Sequence, residues 1–185
     1  MPATFIAFNL RAVLLSFAIL AAPFVLVWLE KKNPRKELSL SKIRWGETIV
    51  KGFALFALVF LVLIVQGLLL KLLGLLDNEI VVDLIAAQET LTLVLAVTVG
   101  PIGEELLFRG YLLNKVGVWA QAFLFGLLHF SYGSTAEILA AFTVAALFGL
   151  YMKREKNIYA CITAHALYNL MSIIAVFYLV PAGSV

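Results

Sequence analysis

Residues 91–113 read LTLVLAVTVGPIGEELLFRGYLL. An apolar run, Leu91 to Val99, leads into Gly100-Pro101-Ile102-Gly103. Two adjacent glutamates, Glu104 and Glu105, and then Arg109 interrupt the apolar turn that continues toward Leu113. The rest of the chain decides what such charges mean. It is 63% hydrophobic and only 14% charged, with a mean hydropathy of +1.03 and several apolar runs of span length. That composition predicts an all-α, polytopic membrane protein of about six spans and leaves no soluble catalytic module. Ionisable groups at membrane depth need partners and usually mark a working site.

Working outward, the 185 residues read as a single transmembrane domain, 1–185. Phe5 to Leu29 forms a first span, interrupted by Arg11 and Pro23. It is too long for a signal peptide, lacks a basic leader and ends in a basic stop-transfer block. Residues 30–51 carry Lys31, Lys32, Arg35, Lys36, Lys42, Arg44 and Lys51 against Glu30, Glu37 and Glu47, broken by Pro34, Ser39 and Ser41. Gly52 to Leu76 is the second span, ended by Asp77-Asn78-Glu79, and Ile80 to Thr90 reads as an interfacial helix. The third span runs from Leu91 to about Lys115, with Pro101 expected to break it and free backbone groups. Val116–Phe130, Thr135–Met152 and Ile158–Val180 complete the set.

Lysine and arginine fix the expected orientation. The loops at 30–51, at Lys115 and at Lys153, Arg154 and Lys156 hold nearly all of them, with Arg11 and Lys71 toward the other face. This predicts basic loops in the cytoplasm and both termini outside, in the cell membrane. The net charge of +3 thus reports topology and some affinity for anionic lipid, with no nucleic-acid partner implied. The stripe Ala141, Ala145, Gly149 suits close helix packing. The lone Cys161 excludes an internal disulfide and reads as a packing residue.

The polar residues stranded in the spans are few: Glu104, Glu105, Arg109, His129, His165 and Asn169, with Gln66 and Gln121 besides. Counted from the nearest basic loop at ~1.5 Å per residue, Glu104, His129 and His165 lie ~16, ~20 and ~12 Å deep, so antiparallel helices bring them to similar depth. Glu105 and Arg109 are four apart and can neutralise each other, which leaves Glu104 as the freer carboxylate. His165 and Asn169 share one helix face, as do Phe125 and His129. A carboxylate, two imidazoles and an amide in a dry site can hydrolyse an unactivated carbonyl. Glu104 would take a proton from water, His129 would orient that water, and His165 and Asn169 would donate to the oxyanion. Glu104, His129 and His165 are equally a zinc ligand set with an open position, and the residues alone leave both open.

Glu104-Glu105-x-x-x-Arg109, Phe125-x-x-x-His129 and His165-x-x-x-Asn169, in that order on separate spans, resemble the signature of the CPBP family of intramembrane proteases. That family includes the type II CAAX prenyl endopeptidases and proteins of bacteriocin self-immunity. The resemblance covers residues 91–180 as the catalytic core, with 1–90 supplying N-terminal spans and the basic loop. It implies that Glu104 and His129 activate water, that His165 and Asn169 stabilise the oxyanion, and that Glu105 and Arg109 support them. It also implies that no cofactor is required, zinc remaining the alternative. The expected substrate is a peptide or lipidated protein, cut near the cytoplasmic side of the bilayer. The chain has fewer spans than many relatives, which makes a second copy a candidate for walling the groove. Two readings from other classes stand beside this one: a proton-coupled transporter using the same residues as a relay, and a peptide-binding or immunity protein that captures without cutting. Phe123, Phe125, Phe130, Phe142 and Phe148 would suit a lipid-binding cleft or plain packing.

Overall fold

The computed structural model describes residues 3–40 and 43–179, and every described element is helical. Ser41, Lys42 and Val180 lie outside the described residues. The order is α1 (Ala3–Leu29), α2 (Pro34–Glu37), α3 (Trp45–Leu72), α4 (Glu79–Ala86), α5 (Thr90–Val97), α6 (Val99–Glu105), a π-helical segment (Leu106–Leu112), α7 (Leu113–Leu128), a 3-10 turn (His129–Tyr132), α8 (Thr135–Glu155) and α9 (Ile158–Leu179).

Among the described residues five stretches are long and apolar enough to cross a membrane, and the third, Thr90–Tyr132, is 43 residues long. At ~1.5 Å per residue a straight helix of that length would be about twice the thickness of the hydrocarbon layer. It is not straight. Gly117 adopts φ 81° and ψ 179°, a conformation open to glycine but strained for other residues. The chain doubles back there, so that the Phe108 and Phe125 rings meet edge to face at 4.9 Å. The expected third and fourth spans are therefore two antiparallel limbs of one apolar stretch, joined at Gly117 beside Lys115. The expected interfacial helix over 80–90 is α4, which ends at Ala86 before α5 begins at Thr90.

The break expected at Pro101 falls at Thr98, whose φ −111° and ψ −80° separate α5 from α6. Proline excludes the carbonyl of the residue four before it, here Val97, so the distortion sits N-terminal to the ring. Pro101 itself is in the first turn of α6, where its missing N–H costs nothing.

Helix pairing positions the site. The main partnerships are α7 with α8, α3 with α9, and α1 with α6. The last is very close: a Cβ at Gly103 would stand 2.8 Å from the Leu20 backbone nitrogen. The core joins Val27, Leu55, Val59, Leu106, Leu113, Phe148, Ile158 and Cys161. At the basic end Glu30 receives Lys115 and Tyr111 and sits 2.9 Å from Lys32, fixing the exit of α1 against the far side of the bundle. Those contacts, Lys115 first, hold the Glu30 carboxyl down at about 2. The basic loop is not wholly solvated: Leu38 is fully buried and packs on Gly110.

At the opposite end Asp77 supplements the Ser134 cap of α8. Its Oδ2 accepts from the Thr135 backbone N–H at 2.7 Å, and its Oδ1 accepts from the Ala136 N–H at 2.9 Å and from Ser134 Oγ at 2.7 Å. The Ser134 hydroxyl, followed by the backbone donors, holds the Asp77 carboxyl below its ordinary value. One short loop thereby ties the end of α3 to the start of α8.

Candidate active site

The π-helical turn begins directly after Glu105 and contains Arg109. Such widened turns recur at functional sites because they redirect side chains within a helix. Both residues are wholly buried, and Arg109 Nη1 lies 3.0 Å from Glu105 Oε1. The contact is close without the angle of a directional hydrogen bond, and no guanidinium nitrogen finds one. Aromatic faces take that role: the guanidinium carbon stands 4.5 Å from the Phe125 ring centre and 5.3 Å from that of Phe148. These two members of the expected aromatic group pack around Arg109, whereas Phe123 and Phe130 point outward, exposed. The five phenylalanines do not form one cleft.

Glu105 has a second partner that spacing did not reveal. Its Oε1 also meets His165 Nδ1 at 2.8 Å. A carboxylate held beside a guanidinium accepts, so Nδ1 carries the hydrogen, and Nε2 turns toward Glu104, 3.8 Å from its Oε2. That gap is too long for a hydrogen bond and short enough for a shared small group. His129 is fixed in the same way. Its Nδ1 lies 2.9 Å from the Phe125 carbonyl oxygen, which can only accept, so its Nε2 is the free nitrogen. Phe125 thus orients His129 through its carbonyl and stacks on that ring at 4.7 Å between centres. Asn169 Nδ2 donates at 2.8 Å to the Ala96 carbonyl. In an unbroken helix that carbonyl would accept from Gly100; the break at Thr98 releases it.

Glu104, His129, His165 and Asn169 all line one cavity of about 400 Å³, together with Gly100, Tyr132, Glu137 and Tyr168. Three separate elements, α6, the 3-10 turn that follows α7, and α9, therefore deliver the predicted residues to one place. Glu105 and Arg109 lie beneath it. The cavity is roofed by α4 through Val81, Leu84 and Ile85, and by Gln88 just beyond its end. Its lining comes from the helix ends remote from residues 30–40, 43–44, 115 and 153–157, so it runs from mid-bundle toward the Asp77 end. A mouth on the basic, cytoplasmic side had been expected; the depth count located the residues but not the side on which they open.

Glu137, Tyr132 and Tyr168 were missed by the sequence reading. Glu137 looks in sequence like an ordinary first-turn acid of α8, and tyrosines in spans look like packing. Among the described residues no three His, Cys, Asp or Glu side chains gather closely enough to hold one metal ion. The trio Glu104, His129 and His165 forms no ligand set in this arrangement, and no step below passes through a metal.

Comparison with known proteins matches residues 86–171 to the family model of type II CAAX prenyl endopeptidase Rce1-like proteins. Residues 86–171 are an Rce1-like domain. All three motifs, through Asn169, fall inside it, and so does the cavity's lining from α5, α6, the 3-10 turn and the start of α8. The match covers 86 of the 185 residues, somewhat under half of the chain. Over 63 residues the chain is also 36% identical to the uncharacterized protein YpbD of Bacillus subtilis (strain 168), a match covering 34% of this chain and 33% of that protein. The chain thus matches only a third of that relative's length. No solved structure matches.

Proposed function

We propose that the chain is an intramembrane endopeptidase that hydrolyses a peptide bond with a glutamate-activated water. The observation that carries this reading is the convergence of Glu104, His129, His165 and Asn169 on one cavity of about 400 Å³ inside an apolar bundle. Neither a packing accident nor a bare structural clamp requires those four to share a space.

The chemistry follows from the hydrogen bonds. Water held between the Glu104 carboxylate and His129 Nε2 gives a proton to Glu104 as its oxygen attacks the carbonyl carbon. Charge then develops on the carbonyl oxygen. It is met by the Asn169 amide N–H not spent on Ala96 and by His165 Nε2 when that nitrogen carries a proton. Donors of this kind are worth roughly 10²–10³ in rate, because they are oriented before the charge appears. Collapse of the tetrahedral intermediate breaks the C–N bond, and Glu104 returns its proton to the leaving amine. Glu105 holds His165 by Nδ1, and Arg109 cancels the charge of Glu105, so Glu104 remains the uncompensated carboxylate.

The cavity's direction bears on the substrate. With the basic loops in the cytoplasm by charge bias, its mouth faces the outer half of the bilayer; the opposite insertion would present it to the cytoplasm, where a lipidated chain terminus could enter with its tail left in the hydrocarbon. Cleavage is tested by incubating the purified protein with a membrane-peptide library, with and without a strong chelator, and reading the cut ends by mass spectrometry. Cuts that persist with chelator and vanish in Glu104→Gln support the mechanism. A folded protein that makes no cuts, or protection of a host cell that survives Glu104→Gln, supports capture without hydrolysis instead.

A further inference from the structure

We propose that Glu137 sets the substrate preference of this cavity by receiving a cationic group, either a lysine or arginine side chain or a free amino terminus. The inference rests on the peptidase reading for the existence of a peptide substrate, and goes beyond it in naming the group recognised.

Glu137 stands where a capping glutamate should be, yet does not cap. Ser134-x-x-Glu137 has the form of a capping box, in which the glutamate reaches back to the start of its helix. Only half of the box is present: Ser134 Oγ accepts from the Glu137 N–H at 3.1 Å. Asp77 has taken the neighbouring N–H groups of Thr135 and Ala136. The half-buried Glu137 carboxylate does not reach back to the Ser134 N–H, makes no hydrogen bond to any described residue and turns into the cavity.

Its position there is at a junction. A second cavity of about 290 Å³ adjoins the first, and Val81, Ile85, Glu137, Tyr168 and Ser172 belong to the walls of both. An extended chain passing from one chamber to the other crosses Glu137. Lysine and arginine are absent from both linings, whose only carboxylates are Glu104 and Glu137. The charged or titratable groups facing Glu137 are His129, Tyr132 and Tyr168, and none is a permanent cation. A carboxylate among apolar walls, without a fixed counter-charge, favours a ligand that brings one. The second chamber is otherwise mostly apolar, which suits the methylene stem of a long cationic side chain. Glu104 is less suited to this task, because it already faces His165 and has its own part in activating water.

The test uses the full chain in lipid nanodiscs and quenched fluorescent peptides of one sequence. Each flanking position carries lysine, norleucine or glutamate in turn, and each peptide is made with a free or an acetylated amino terminus. For one charge-assisted hydrogen bond, wild type should prefer the cationic peptide about tenfold or more, through KM and not kcat. Glu137→Gln should abolish that ratio, Glu137→Asp should restore part of it, and Glu137→Lys should turn the preference toward glutamate. Loss of the preference on acetylation assigns the cation to a chain terminus; dependence on the lysine position assigns it to a side chain. The same ranking is measured by fluorescence anisotropy on Glu104→Gln, where no cleavage is needed. A wild type that cuts nothing would end the peptidase reading alone, since the anisotropy ranking still decides the role of Glu137. Equal handling of lysine and norleucine by wild type in both assays, or a preference that survives Glu137→Gln, overturns the proposal.

Discussion

Replacing Arg109 by methionine tests whether the ion pair beneath the cavity serves the fold or the site. The substitution strands the Glu105 carboxylate, whose side chain is 0% exposed, with His165 as its one remaining polar neighbour. Breaking a buried pair by removing one member costs about 3–5 kcal/mol. Loss of the guanidinium from over Phe125 and Phe148 adds roughly 0.5–2 kcal/mol per ring. Protonation of Glu105 offsets part of this, so a net loss of about 3–5 kcal/mol is expected. Glu105→Leu combined with Arg109→Met removes both charges and fills the space with apolar atoms, which is often neutral for stability. The double variant should therefore recover most of the lost stability. It should not recover activity, because His165 then has no acceptor for Nδ1 and is no longer held toward Glu104. Stability would be read by reversible unfolding in mixed micelles and activity by peptide cleavage. A double variant as unstable as Arg109→Met would refute the self-compensating pair, and one with wild-type turnover would refute Glu105 as the residue that positions His165.

Three further outcomes are expected. Asp77→Asn turns one of two accepting oxygens into a donor and removes the charge, and should destabilise the chain by about 1–2 kcal/mol. Because the Asp77 carboxyl is held below its ordinary value, its contribution is present above about pH 4 and lost as pH falls through the lowered value; melting curves of variant and wild type should converge in acid, and a gap that widens there contradicts the cap. Gly103→Ala should cost about 1–3 kcal/mol by forcing a methyl against the Leu20 backbone at 2.8 Å, and unchanged stability would show that α1 yields freely. Finally, a Cys161→Ser chain carrying Lys153→Cys or Glu79→Cys should react with an impermeant maleimide from opposite sides of sealed vesicles, Glu79→Cys from outside; reaction of Glu79→Cys from the cytoplasmic side reverses the insertion and opens the cavity inward.

Much of this arrangement was legible because the bilayer simplifies the problem. A charge in an apolar run must have a partner, so Glu104, Glu105, Arg109, His129, His165 and Asn169 could be picked out without knowing the packing. Spacing within a helix gave the Glu105–Arg109 pair directly. It did not give the Glu105–His165 bond, because residues 60 apart meet only through the crossing of α6 with α9. The break was misplaced by three residues for a local reason: proline's steric demand falls on Val97, so the ring marks the C-terminal edge of the distortion and not its centre. Similarly, the 43-residue third stretch contains no proline at its reversal, and only Gly117 with Lys115 nearby signals the turn.

Glu137 shows the harder limit. In sequence it satisfies the rule for a helix start so well that nothing invites a second reading, since Ser134 at the cap and glutamate three places on is the expected pairing. Asp77, 60 residues earlier and on the other side of α4 through α7, supplies acceptors to the Thr135 and Ala136 N–H groups, while the Glu137 carboxylate leaves the helix start. Asp77 in turn reads simply as the polar end of a span. The loop acid helps Ser134 cap the helix, and the helix acid faces the cavity. An arrangement of this kind leaves composition, periodicity and motif spacing unchanged. It becomes visible only as a hydrogen bond that a local rule requires and the structure does not contain, which makes incomplete caps beside a cavity a place to look for ligand-binding side chains.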